Sequence, residues 1–151
     1  MNAGADVTIP HDTPFALTAT GSDPDTADGP NLTYAWDQID AGGSSYANPP
    51  YGDQAGDPNT TTRPLFRSYA PVASAIRLFP SLTYILNNAN VPPATTGSFQ
   101  TGEALPSVAR QINFRVLLKD NRAGGGGVAD DDIQITVAGG AGPFQGAIAR
   151  I

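Results

Sequence analysis

The sequence has no cysteine, a single histidine (His11) and a single glutamate (Glu103). The missing cysteines exclude disulfides and thiolate metal sites, and they leave the redox compartment open. Because there is one histidine and no His-Glu-x-x-His motif, a zinc-protease centre is excluded and a serine triad is not indicated. No aspartate stands out as the acid of a glycosidase pair. We therefore expect a chain that is not an enzyme.

Basic residues are also scarce, with 8 lysines and arginines against 14 acidic residues and a net charge of −6. Nucleic-acid affinity depends on basic residues that release phosphate counterions, so we expect no nucleic-acid partner. No apolar run approaches the roughly 20 residues of a membrane span. The first residues lack the basic and apolar regions of a signal peptide, which predicts either a cytoplasmic chain or a piece of a longer precursor.

What the 151 residues do contain is alternation of apolar and polar residues between turn-rich segments, with 17 glycines and 14 prolines. This period of two indicates half-buried strands. Short strands without a long helix predict one all-β domain, an antiparallel β-sandwich, with Trp36 in its core. The predicted strands are Asp6–Ile9, Phe15–Ala19, Leu32–Trp36, Gln111–Lys119 and Ile133–Val137.

Between residues 40 and 106 the alternation is interrupted, which predicts a long, partly irregular insertion. Short strands are expected at Leu65–Tyr69 and Ala75–Phe79, and Ser81 is a plausible N-cap of a short helix that ends at Asn87. Tyrosine and arginine are enriched at binding hot spots, so the insertion could bind carbohydrate or protein, or could simply cover the sandwich edge. The candidate binding residues are Tyr46, Tyr51 and Tyr69.

Acidic residues cluster in turns, at Asp23 and Asp25 and again at Asp120. Neighbouring carboxylates repel unless a cation or hydrogen-bond donors neutralise them, and calcium prefers 6–8 such oxygen ligands. The alternative is that these are ordinary turn residues that bond their own backbone. The run 130–132 is expected to be a solvated strand face, and the glycines at 124–127 a hairpin turn rather than a phosphate loop.

Several of these segments together resemble the polycystic-kidney-disease-type and cadherin-like modules of secreted bacterial proteins. The segments are Asn2–Asp6, Gly21–Asp25, Leu32–Trp36 and Val116–Asn121. A wider set is similar to the accessory module that follows the reprolysin-type zinc metalloprotease domain. That set comprises Pro64–Tyr69, Phe79–Leu82, Ile85–Asn88, Asn113–Arg115, Asp120–Gly126 and Gly142–Phe144.

The resemblance implies an immunoglobulin-like sandwich, secretion or display at the cell surface, and calcium as a cofactor. The calcium ligands carried over from the family are Asn2, Asp23, Asp25 and Asp120. The loop after Asp25 is longer than the family pattern, and Asp28 either supplies a further carboxylate or faces water.

Together, these patterns predict a module over residues 1–141, with 142–151 as a terminal strand or the start of a linker. The expected function is a spacer or domain-orienting unit beside the catalytic domain of a metalloprotease, with the adjacent domains as its partners. The alternatives are a module that binds extracellular carbohydrate or protein through the insertion, and an adhesion domain that associates with itself.

Overall fold

The computed structural model describes residues 1–25, 31–40, 59, 61–89, 92–93, 95–96 and 99–143. The regular secondary structure of these residues is almost entirely strand, as predicted, with one α-helix. The elements are β1 (Val7–Pro10), β2 (Phe15–Thr18), β3 (Thr33–Gln38), β4 (Ile76–Phe79), α1 (Leu82–Leu86), β5 (Thr95–Thr96), β6 (Phe99–Gln100), β7 (Arg110–Lys119) and β8 (Val128–Ala138). None of the described helices is long and apolar enough to cross a membrane.

The largest sheet has the strand order β1-β8-β7-β3. β7 is the longest predicted alternating strand, and its even-numbered residues Ile112, Phe114, Val116 and Leu118 are buried as the pattern requires. β7 pairs antiparallel with both β8 and β3, and β1 pairs parallel with β8. The prediction of a purely antiparallel sheet was therefore wrong at this edge. β1 and β2 are consecutive in the chain, but they do not pair as a hairpin. Each strand joins a different sheet.

A second sheet is formed by β2 and β4, which pair antiparallel. Phe15 and Phe79 stack across this pair with centroids 4.8 Å apart, and both contact the Phe114 ring of β7. One cluster of buried residues therefore takes side chains from both sheets. Trp36 belongs to it, at 3% exposure, and its Nε1 donates to the Ala75 carbonyl at 3.1 Å.

The described part of the insertion has less regular structure than predicted. The strand expected at Leu65–Tyr69 is only an isolated bridge between Phe66 and Glu103, whereas the strand before Pro80 is present as β4. Helix α1 begins after Ser81 as expected, but Ser81 makes no side-chain cap. Its backbone N–H instead donates to Glu103 Oε2 at 2.8 Å, so a buried carboxylate holds the start of this helix.

Candidate functional site

The predicted hairpin turn between β7 and β8 is built around the Asp120 carboxylate. Its Oδ1 accepts from the Arg122 N–H at 3.0 Å and its Oδ2 accepts from the Gly127 N–H at 2.6 Å. A Cβ on Gly126 would lie 2.4 Å from Oδ1, so a glycine is needed for the carboxylate to approach this closely. The backbone hydrogen bonds from Gly127 and Arg122 lower the pKa of Asp120. Asp120 therefore acts as the hydrogen-bonding centre of its own loop.

Asp23 and Asp25 lie at the same end of the molecule. Asp23 Oδ1 accepts from the Asp25 N–H at 2.7 Å, which is the geometry of an Asx turn. Asp25 Oδ2 accepts from Arg122 Nη1 at 2.5 Å. Asp23 and Asp120 line one small hollow of about 160 Å³. The structure thus brings these three predicted ligands to one end of the sheet and places Arg122 against one of them.

The fourth predicted ligand, Asn2, lines a different hollow, with Met1 and Thr20. Its Oδ1 accepts from the Gly4 N–H at 2.7 Å. Within the described ranges, no cluster of three or more histidine, aspartate or glutamate side chains could hold a metal ion. Asp28, the further carboxylate considered for this site, lies outside the described residues. Calcium binding stays a prediction.

The aspartate run that begins β8 is divided between two sides of the strand. Asp132 forms a bidentate ion pair with Arg115, in which Nε and Nη2 donate to the two carboxylate oxygens at 2.7 and 2.8 Å. Asp130 Oδ2 lies 3.5 Å from the same Nε. The hydrogen bond from Arg115 lowers the pKa of Asp132. Asp131 points the other way, and its Oδ2 accepts from the Ala3 N–H at 2.8 Å. Asp130 and Asp132 therefore share Arg115 on one side of the strand, whereas Asp131 has its partner on the other side, as the alternation of a strand dictates.

Of the three tyrosines predicted to bind a ligand, Tyr46 and Tyr51 lie outside the described residues. Tyr69 is half-buried, and its hydroxyl donates to Glu103 Oε1. The guanidinium of Arg67 lies 5.0 Å from the ring centroid, and that of Arg77 lies 4.4 Å from it. Burial, and then the bond to Glu103, raise the pKa of Tyr69. Two guanidiniums therefore lie against this ring, and ligand binding by Tyr69 stays a prediction.

Glu103 is the site residue that the sequence interpretation missed. It is fully buried, and it accepts hydrogen bonds from the Tyr69 hydroxyl and the Ser81 N–H. The one available signal was composition, since Glu103 is the single glutamate of the chain. It connects the irregular segment before β4 with the start of α1.

Beside Tyr69 a groove of about 340 Å³ runs along the outer edge of β3. Its lining is mostly apolar and includes Ala35, Trp36, Tyr69, Val72, Ile76 and Arg77. Arg77 Nη1 donates to the Trp36 carbonyl, and Nη2 donates to the Arg67 carbonyl at 2.5 Å. Its Nε is buried without a hydrogen-bond partner. Burial lowers the pKa of Arg77, and electrostatic interactions with Glu103, Tyr69 and Asp37 oppose that effect.

The chain was compared with family models, with curated proteins and with solved structures. No family model matches the chain, and neither a curated protein nor a solved structure matches it.

Proposed function

We propose that the chain is a non-catalytic accessory module of a secreted multidomain protein, and that it holds a neighbouring domain in a fixed orientation. The sequence resemblance supports a metalloprotease as the parent protein. The observation that carries the orienting role is the attachment of the N-terminal segment to both sheets. A spacer transmits orientation only if the residues at its end are rigidly packed.

The attachment has three parts. Asn2 and Thr20 exchange backbone hydrogen bonds of 2.7 and 2.8 Å just beyond β2. Ala3 is 1% exposed within the core, and its N–H donates to Asp131 of β8. Asp6 Oδ1 then accepts from the Gln134 N–H at 2.8 Å, immediately before β1 joins the sheet. Residues 2–10 are thereby bonded to β8 and to the end of β2.

An immunoglobulin-like sandwich is the finer fold that we propose for this module. It is supported by the shared core cluster, to which β2 and β4 contribute Leu17 and Phe79, and β7 contributes Phe114. The buried Trp36 on β3 also supports it, since immunoglobulin domains bury a tryptophan from one strand in the core.

The orienting role can be tested by fusing a small folded reporter domain directly to residue 1. We expect ¹⁵N relaxation to show the reporter and the module tumbling as one body. Thr20→Pro removes the N–H that donates to Asn2, and Asp131→Ala removes the acceptor of Ala3, so the double variant should let the reporter tumble faster. Asp130→Ala is the matched control, because Asp130 is exposed and contacts Arg115 instead. Independent tumbling of the reporter on the unmodified module would contradict the proposal.

Calcium is a separate prediction, tested by thermal melts in chelator and in millimolar calcium. Binding to the folded state stabilises it by about 2.7 kcal/mol at a hundred times the Kd, and each kcal/mol raises Tm by roughly 2–4 °C for a domain of this size. A rise of this kind that Asp23→Ala abolishes would establish the site. An unchanged Tm would mean that hydrogen bonds and Arg122 are enough to hold this end.

The non-catalytic role predicts that the isolated chain cleaves neither peptides nor glycans. Cleavage that survives purification and is lost on replacing one side chain would overturn it.

A further inference from the structure

The strand β8 has an open edge over its first half. β7 pairs with β8 along residues 128–137, whereas β1 pairs only with residues 135–138. No strand among the described residues pairs with the other side of residues 128–134. We call the stretch Val128–Asp132 the open edge of β8. Unpaired edges can accept a further strand, so natural proteins cover or modify most of them.

One hydrogen bond gives the direction in which the backbone groups of this edge point. Gln134 pairs with β7 in the same register as the rest of β8, and its N–H donates away from β7, to Asp6 Oδ1 at 2.8 Å. Since backbone groups alternate in direction along a strand, the N–H and C=O groups of Asp130 and Asp132 also point outward. Both residues are exposed, and in the described part of the chain nothing bonds these four backbone groups.

Acidic side chains border the open edge. Asp130 and Asp132 lie on the outer face of the sheet, where both contact Arg115. Asp131 lies on the other face, and Asp6 binds the next outward N–H along β8. Four aspartates therefore surround one arginine, in a chain of net charge −6.

This charge determines which strand fits the edge. Two copies of the chain that paired through it would bring carboxylates against carboxylates, and like charges placed opposite each other destabilise a strand pair. A strand with lysine or arginine at alternate positions would instead place opposite charges beside Asp130 and Asp132.

We propose that the open edge of β8 binds an extended, basic segment of a partner protein, which adds to the sheet as a further strand. Backbone hydrogen bonds to Asp130 and Asp132 hold the segment, and its basic side chains pair with the aspartates. The inference does not depend on the accessory role proposed above, because a module can orient its neighbour and also bind a segment of another protein.

The test uses a peptide of alternating lysine and valine with blocked ends, about as long as the open edge. Its binding is followed by the amide signals of the ¹⁵N-labelled protein. In the free protein, the N–H groups of Asp130 and Asp132 should exchange rapidly with solvent, whereas those of Asp131 and Ile133, which face β7, should be protected. At saturation with the peptide, we expect the exchange of the Asp130 and Asp132 N–H groups to slow at least tenfold.

Two further peptides separate strand addition from simple attraction of charge. The fully N-methylated form of the lysine–valine peptide keeps every charge but has no backbone N–H to donate, and it should bind at least tenfold more weakly. The corresponding peptide of glutamate and valine should not bind.

Variants of the edge test the same distinction on the protein. Val128→Pro removes an outward N–H without changing the charge, at the first residue of the strand, where proline is tolerated. It should weaken binding at least fivefold relative to the matched control Val128→Ala. Asp130→Asn should weaken binding at least threefold. Its control, Ala16→Lys, makes the same change in net charge at an exposed position of β2 and should have less effect. Thermal melts and circular dichroism show whether each variant is folded.

The proposal is overturned if the lysine–valine peptide leaves the Asp130 and Asp132 signals unchanged, if its N-methylated form binds as tightly, or if folded Val128→Pro binds as well as Val128→Ala. Protection of the Asp130 and Asp132 N–H groups in the free protein would overturn it too. Such protection would mean that another segment of this chain covers the edge or, where it rises with protein concentration, that a second copy does. None of these results would affect the tumbling experiment, and therefore the accessory role.

Discussion

The acidic end of the molecule, formed by Asp23, Asp25 and Asp120, differs from the groove along β3 in how far its polar atoms are hydrogen-bonded. At the acidic end, Asp120 accepts from two backbone N–H groups and Asp25 accepts from Arg122. Beside the groove, two buried atoms, Arg77 Nε and Asp37 Oδ1, have no hydrogen-bond partner. The acidic end therefore satisfies its own charges, whereas the region beside the groove leaves one buried donor and one buried acceptor unsatisfied, at about 1–3 kcal/mol each.

Glu103 holds Tyr69, which lines the groove, and the start of α1 in place. Replacing Glu103 should therefore lower the stability of the fold more than the other substitutions considered below. Glu103→Leu leaves the Tyr69 hydroxyl and the Ser81 N–H without their shared acceptor, and the loss of an acceptor for a buried donor costs about 1–3 kcal/mol. We expect the free energy of unfolding in urea to fall by about 2–5 kcal/mol. Glu103→Gln is the matched control, since it keeps an acceptor and the size of the side chain, and it should cost less than half as much. A loss below about 0.5 kcal/mol for Glu103→Leu would mean that the network is dispensable.

Adding a single methyl group beside Asp120 should lower the stability of the acidic end. Gly126→Ala places a Cβ 2.4 Å from Asp120 Oδ1, so either the carboxylate or the loop must move. Steric crowding of this kind typically costs about 1–3 kcal/mol, measurable as a fall in Tm. Gly140→Ala is the control, because a Cβ there meets no atom within 4 Å. Equal stabilities for the two variants would show that the Asp120 loop is not tightly packed.

The smallest expected effect is the pH dependence of the Asp120 loop. The folded state lowers the pKa of Asp120, so its contribution to stability is present above the ordinary aspartate pKa of about 3.9 and is lost as pH falls through the lower folded value. Asp120→Asn cannot titrate, so the gap in Tm between the parent chain and this variant should be widest near neutral pH. It should narrow as the pH falls below about 4. A gap that is constant across this range would show that the ionised carboxylate does not stabilise the loop.

The sequence predicted those parts of the fold that depend on local periodicity. The alternation in β7, the buried Trp36 and the extent of α1 follow from side-chain spacing and turn residues, and the structure confirms them. It also offered turn residues as the alternative interpretation of Asp23 and Asp120, which the Asx turn and the hairpin loop match.

The contacts that define the groove are long-range, and no local pattern of residues indicates them. Glu103 bonds Tyr69 from 34 positions away, and Arg77 reaches Trp36 across 41 positions. The parallel pairing of β1 with β8 is similarly non-local. β8 pairs with β7 on one side, and β1 occupies its other edge from more than 120 positions away in the chain.

Amide hydrogen exchange at the N-terminal segment tests most directly the claim that this module fixes the orientation of a neighbour. If residues 2–10 are an integral part of the fold, the N–H groups of Ala3 and Thr20 should exchange as slowly as those of the β7–β8 ladder, and Asp131→Ala should speed the exchange of Ala3. Exchange of Ala3 and Thr20 at the rate of an unstructured peptide, while β7 and β8 stay protected, would contradict the orienting role.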